Sequence, residues 1–98
     1  MTKALLELQK KIVPFAKRNG LNYVAVFGSF TRGEETKKSD IDLMVQFSEP
    51  VGLFKFVDVE MKLEKKLKRD VDLVTPTGVR PRLKKYILPD LKTLYEER

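Results

Sequence analysis

The segment GSFTRGEETKKSDIDLMV, residues 28–45, decides the fold because it carries the chain from one strand-like run into the next. The residues before it, YVAVF at 23–27, are β-branched and aromatic and predict a strand. Gly28 and Ser29 end that run abruptly, and DIDLMVQF at 40–47 predicts a second strand by its alternation. A glycine-serine turn is therefore expected close to a pair of aspartates.

Apolar spacing predicts the remaining elements. The expected helices are residues 2–18, 53–68 and 79–86, and the expected strands are residues 23–27, 40–47, 69–75 and 91–95. Pro14 should kink or divide the first helix, because proline lacks a backbone N–H donor. The long middle helix should turn these side chains inward: Phe54, Val57, Met61, Leu63 and Leu67. The element order implies one α/β domain, residues 1–98, with a mixed or parallel β-sheet flanked by helices.

The amino-acid composition limits the kinds of catalytic and metal-binding site that the chain can carry. The 98 residues include no cysteine and no histidine, which excludes disulfides, thiolate metal sites and histidine-dependent nucleophiles. Hard cations on carboxylates remain as the main metal option. The net charge of +6 favours a polyanionic ligand or an acidic partner, although a well-solvated surface explains it equally well. No run is long enough to span a membrane and no signal-peptide core is visible, so a cytoplasmic location is expected.

The acidic residues of the strands are the first candidate site. Asp40 and Asp42 are two residues apart and should share one strand face, with Cα atoms ~6.6 Å apart. If the strand at 69–75 is the neighbour, Asp72 lies on the same face about one strand spacing of ~4.8 Å away. Three converging carboxylates would repel one another, and a pair of divalent cations would resolve that repulsion. The alternative is that Asp40 and Asp42 are ordinary turn and cap residues. Other candidates for the third carboxylate are Asp58, Glu60, Glu64 and Asp70.

The glycine-serine turn is the second candidate site. Gly28 allows a phosphate to approach the backbone closely, because it has no Cβ and can adopt positive φ. Ser29 is expected to cap a short helix, so that its hydroxyl and nearby N–H groups face a triphosphate. Arg32 could contact phosphate, or could simply pair with Glu34 or Glu35.

These residues carry a family resemblance. The segment at 28–45 resembles the signature of the DNA polymerase β-like nucleotidyltransferases and, more narrowly, of the MntA-type minimal nucleotidyltransferases. The resemblance covers nearly the whole chain and implies the nucleotidyltransferase fold. It identifies Asp40 and Asp42 with the metal-binding pair, Asp72 with the third carboxylate, and Gly28 and Ser29 with the triphosphate turn.

The resemblance also implies an activity and a partner. Members of the superfamily move a nucleoside monophosphate from an NTP to a hydroxyl and release pyrophosphate. For this chain it implies ATP as substrate, with two Mg²⁺ ions or with Mn²⁺ in their place. MntA-type antitoxins pair with a HEPN-domain toxin and add AMP to one of its tyrosines, which implies a complex with that partner. Two alternatives are a non-catalytic antitoxin and an RNA-directed enzyme, the latter suggested by RPRLKK at 80–85 and by Lys62, Lys65, Lys66 and Lys68.

Overall fold

The structure, a computed structural model, describes residues 1–34, 36 and 40–97. Helices and strands alternate along these residues, and the four strands form one sheet in the order β3-β2-β1-β4. The helices are α1 (Lys3–Arg18), α2 (Ser29–Arg32), α3 (Leu53–Leu67) and α4 (Pro81–Ile87), with a 3-10 turn at Leu88–Asp90. The strands are β1 (Leu21–Phe27), β2 (Ile41–Phe47), β3 (Val71–Val74) and β4 (Lys92–Glu96).

The sheet is mixed. Strand β1 runs antiparallel to both β2 and β4, whereas β2 and β3 are parallel. The predicted α/β class with a mixed sheet is confirmed, and so is the final strand. In the described part of the chain, no helix is long and apolar enough to cross a membrane.

Helix α1 begins with a side-chain cap and stays continuous. The hydroxyl oxygen of Thr2 accepts a hydrogen bond from the Leu5 N–H at 3.2 Å, which satisfies one of the free donors of the first turn. The expected division at Pro14 is wrong, because the helix runs through it. Pro14 and Lys10 lie on the exposed side, where water can bond the Lys10 carbonyl that proline leaves without a donor.

One face of the sheet carries the hydrophobic core. Alternate residues of β2 point into it, and the inner faces of α1 and α3 cover it. The fully buried side chains include Ile12, Val24, Leu43, Val45, Val59 and Leu63. Ala25 and Met44 are also buried but lie outside this cluster, and they are direct partners across β1 and β2. They occupy the second face of the sheet, which also carries Asp42, two residues from Met44.

The predicted inner face of α3 is partly wrong. Leu63 and Leu67 are buried as expected, but Phe54 is 92% exposed and Met61 is 62% exposed. Val57 is exposed too, and the residue that joins Leu63 and Leu67 in the core is Val59. The helix has two apolar stripes at helical spacing, and periodicity alone cannot tell which one packs on the sheet.

Two glutamates of α3 bind the outer edge of β3. The N–H of Val71 donates to Glu64 Oε2 at 3.1 Å, and the N–H of Leu73 donates to Glu60 Oε2 at 3.4 Å. Two residues of strand advance about as far as four residues of helix, so the two spacings match. Glu60 and Glu64 therefore bond the backbone of β3 and are poor candidates for the third carboxylate.

Candidate active site

The strand register brings two of the predicted aspartates side by side. Phe27 at the end of β1 pairs with Asp42, and Asp42 pairs with Asp72 across the parallel strands. Asp42 is half-buried, while Asp72 and Asp40 are exposed. The predicted pairing of the DIDLMV and RDVDLVT strands is thus confirmed, and so is the shared level of Asp42 and Asp72.

The site lies at one edge of the sheet, where strand directions differ. Gly28 follows the carboxyl end of β1, but Asp42 and Asp72 lie near the amino ends of β2 and β3. Open α/β sheets usually bind ligands at the carboxyl ends of their strands, but here β1 alone presents its carboxyl end to the site. The reason is the antiparallel pairing of β1 with β2, which reverses the direction of the next strand.

Gly28 is required where it stands. Its φ is 76°, a region that L side chains rarely adopt. A Cβ atom built on it would overlap Asp42 Oδ2 and lie 3.1 Å from Asp42 Cγ. The Asp42 carboxylate therefore packs directly on the Gly28 backbone, which places the turn and the acidic pair in one site.

The short helix α2 follows this turn, but Ser29 does not cap it. Gly28 occupies the cap position with no side-chain bond, and Ser29 is the first helical residue. The hydroxyl of Thr31 donates to the Gly28 carbonyl at 2.9 Å, which stabilises the turn. Gly33 then ends the helix in the left-handed conformation. The expected cap is wrong because the chain enters the helix through glycine, one residue earlier.

Arg32 is held by two carboxylates. Its Nε donates to Glu34 Oε2 at 3.1 Å, and its Nη1 donates to Asp90 Oδ2 at 2.7 Å. The hydrogen bonds to Asp90, first, and to Glu34 raise the pKa of the Arg32 guanidinium. The pairing with Glu34 matches the expected alternative, while Glu35 lies outside the described residues. No sequence pattern singles out Asp90, because it joins the site from 58 residues away.

The surroundings of Asp42 disfavour the ionised form of its carboxyl group. Burial, first, and then the charges of Asp72 and Asp40 raise the pKa of the Asp42 carboxyl. Arg32 opposes that rise. A cation bound between these carboxylates would relieve both effects.

The three aspartates do not form a complete set of metal ligands. Within residues 1–34, 36 and 40–97, no group of three acidic side chains is close enough to hold an ion. The charges of Asp72 and Asp40 still act on Asp42, so the role of the three carboxylates as metal ligands stays a prediction. Carboxylate oxygens are nonetheless the donors that Mg²⁺ prefers, so the residue types fit that ion.

A glycine-serine turn thus packs on one of two paired aspartates at one end of the α/β sheet. The chain belongs to the polymerase β nucleotidyltransferase family, whose profile matches residues 10–98. It is thus an enzyme of the nucleotidyltransferase class.

Relatives and solved structures agree with this family. A candidate protein adenylyltransferase of Methanocaldococcus jannaschii is 37% identical over 82 residues, covering 84% of this chain and 88% of the relative. The protein adenylyltransferase MntA of Thermococcus cleftensis is 37% identical over 75 residues, or 76% of each chain. A crystal structure of a toxin–antitoxin with AMP-PNP superposes with a TM-score of 0.78 at 26% identity, covering 92% of this chain and 74% of that one. A candidate minimal nucleotidyltransferase gives a TM-score of 0.75 at 33% identity, covering 92% of both chains.

Proposed function

We propose that this enzyme moves AMP, or another nucleoside monophosphate, from an NTP to a hydroxyl of a partner protein. The observation that carries the proposal is the contact of the Gly28 backbone with the Asp42 carboxylate, in register with Asp72. This contact puts a phosphate-accepting turn beside a carboxylate pair. The names of the adenylyltransferase relatives support a protein as the acceptor.

The turn binds the nucleotide phosphates in this proposal. Gly28 has no Cβ, and the Asp42 carboxylate fills the space that a Cβ would take, so the turn and this carboxylate lie side by side at the phosphates. Ser29 is partly exposed at the start of α2 and offers its hydroxyl and N–H. Arg32 on the same helix adds a planar guanidinium, which matches phosphate oxygens well.

The carboxylates hold the metal ions. Asp40, Asp42 and Asp72 would bind two Mg²⁺ ions, or Mn²⁺ in their place. When bound, these ions neutralise phosphate charge and lower the pKa of the acceptor hydroxyl. The raised pKa of Asp42 supports this role. Burial and the charges of its neighbours disfavour the ionised carboxylate, and a bound cation would offset both effects.

The chain's residues then direct an in-line displacement. The acceptor oxygen forms a bond to the α-phosphorus, and the bond from that phosphorus to the β-phosphate oxygen breaks. Pyrophosphate leaves, and the acceptor proton passes to Asp72. Asp72 suits this step because it is exposed at the level of Asp42 and can be reached from solvent.

The acceptor belongs to a second protein. Asp40 and Asp72 are exposed at the site edge, so a partner's side chain can reach them. We propose a HEPN-domain toxin as that partner and an antitoxin role for this chain, in the cytoplasm. The similarity to a toxin–antitoxin crystallised with AMP-PNP supports a toxin as the partner and ATP as the nucleotide.

Transfer of label from ATP tests the proposal. The protein is incubated with α-phosphate-labelled ATP, Mg²⁺ and the protein encoded by the neighbouring gene. We expect label on the partner from the wild type and almost none from Asp42→Asn. Asp58→Asn is the matched control, because Asp58 is exposed, pairs with Lys62 and lies on α3 rather than on the strands that carry Asp42 and Asp72. Equal labelling by wild type and Asp42→Asn would refute the proposal.

A further inference from the structure

The ion pair between Arg32 and Asp90 connects two segments of the chain that meet beside the candidate active site. Arg32 ends α2, directly after the phosphate turn, and Asp90 ends the 3-10 turn before β4. The Nη1 to Oδ2 distance of 2.7 Å is short and typical of a charge-assisted hydrogen bond. Both side chains are only partly exposed, with Asp90 the more buried at 24%.

The register of β4 shows why Asp90 reaches this position. Lys92 pairs with Val26 and Thr93 pairs with Ala25, in antiparallel order. Continuing that register by two residues places Asp90 level with Gly28. The 3-10 turn also contacts β1. All four strands thus bring a residue to this edge: Asp72, Asp42, Gly28 and, just before β4, Asp90.

We propose that Asp90 is a positioning residue that holds the Arg32 guanidinium at the carboxylate pair, ready for the nucleotide phosphates. The inference rests on the proposed function of the Gly28–Asp42 site. Arginine has large rotamer freedom, and binding phosphate with a free side chain would cost that freedom. Asp90 restrains the side chain before the nucleotide arrives.

Glu34 cannot perform the same task. It lies two residues after Arg32, so its bond ties Arg32 only to the adjoining segment of chain. Asp90 is anchored to the sheet through β4 and fixes Arg32 relative to Asp42. The two bonds use two of the five N–H donors of the guanidinium, and the remainder can meet phosphate oxygens.

The affinity for ATP with Mg²⁺, measured by calorimetry, tests the inference. We expect Asp90→Asn to weaken the Kd by about fivefold, because it removes one partly exposed charge pair. Asp90→Glu should restore part of that loss, since it keeps a carboxylate. In an Arg32→Ala background, Asp90→Asn should have no further effect, because Asp90 acts through Arg32.

A second measurement does not depend on ATP. The Nη1–H signals of Arg32, the group that donates to Asp90, should be sharp in an NMR spectrum of the wild type and broadened in Asp90→Asn. Asp58→Asn, which removes the same charge from the exposed pair with Lys62 on α3, should leave both the signal and the Kd unchanged.

The outcomes separate the two proposals. Wild-type protein that fails to bind ATP overturns the proposed function, and this inference with it. If the wild type binds ATP and Asp90→Asn binds it equally well, this inference alone is overturned. This inference alone is also overturned if the losses of ATP affinity from Arg32→Ala and from Asp90→Asn simply add in the double variant.

Discussion

At the scale of single residues, Gly28 is the position that tolerates least change. Gly28→Ala forces a side chain into a backbone conformation suited to glycine and into the Asp42 carboxylate. We expect a loss of about 1–3 kcal/mol in the free energy of unfolding and loss of ATP binding. Urea unfolding and calorimetry measure the two effects.

Gly20 offers the matched control for that substitution. Its φ is 72°, but a Cβ there would meet nothing within 4 Å. Gly20→Ala should therefore show backbone strain without the Asp42 overlap, and should keep ATP binding. If Gly28→Ala is no more harmful than Gly20→Ala, the Gly28–Asp42 contact has no special role.

At the scale of elements, the edge of β3 depends on side chains of α3. Glu64→Ala leaves the Val71 N–H without its carboxylate partner, at 3.1 Å in the wild type. We expect a loss of about 1–2 kcal/mol in unfolding free energy, because the bond is to a charged group but is only partly buried. Asp58→Ala on the same helix breaks only the exposed pair with Lys62, and should cost less than about 0.5 kcal/mol. Equal losses in urea unfolding would argue against the edge bond.

The two apolar stripes of α3 predict opposite responses to truncation. Leu63→Ala should cost about 2–5 kcal/mol, because Leu63 is fully buried in the core. Phe54→Ala should change the unfolding free energy by about 0.5 kcal/mol or less, because Phe54 is 92% exposed. A large loss for Phe54→Ala in chemical unfolding would show that this residue packs against the domain in solution.

At the scale of the whole molecule, Asp42 couples folding to pH. Its pKa is raised in the folded state, so the folded chain binds a proton more tightly than the unfolded chain. The ionised carboxylate therefore destabilises the fold at neutral pH. That penalty disappears as the pH falls through the raised pKa towards the ordinary value of 3.8.

Asp42→Asn should thus raise the metal-free melting temperature at pH 7. The difference from wild type should shrink as the pH is lowered towards 4, because the wild-type carboxylate becomes neutral as well. Thermal melts in EDTA across this range measure the difference, and carboxylates that do not interact with Asp42 cancel between the two proteins. A difference that stays constant, or grows at low pH, would contradict the sign of the shift.

Much of the molecule could be predicted from local patterns. Strand alternation predicted that Asp40 and Asp42 share a face, because a period of two assigns each side chain to a face. The pairing of Asp42 with Asp72 followed only on the condition that the two strands are neighbours, which the sheet order supplies. The inward stripe of α3 could not be chosen, since both stripes are apolar at helical spacing. Asp90 could not be found either, because its place depends on the register of β4. The cap at Gly28 was missed because serine and glycine both suit that position.

The two glutamates of α3 that accept hydrogen bonds from β3 also affect how the sheet meets other molecules. An exposed sheet edge is a template on which a foreign strand can add and start aggregation. On β3 such a strand would meet the carboxylates of Glu60 and Glu64, which already accept the N–H groups. The opposite edge, β4, is short and bulged, and Gln9 donates to its Leu94 carbonyl at 3.0 Å. Both edges thus resist growth of the sheet into a fibre.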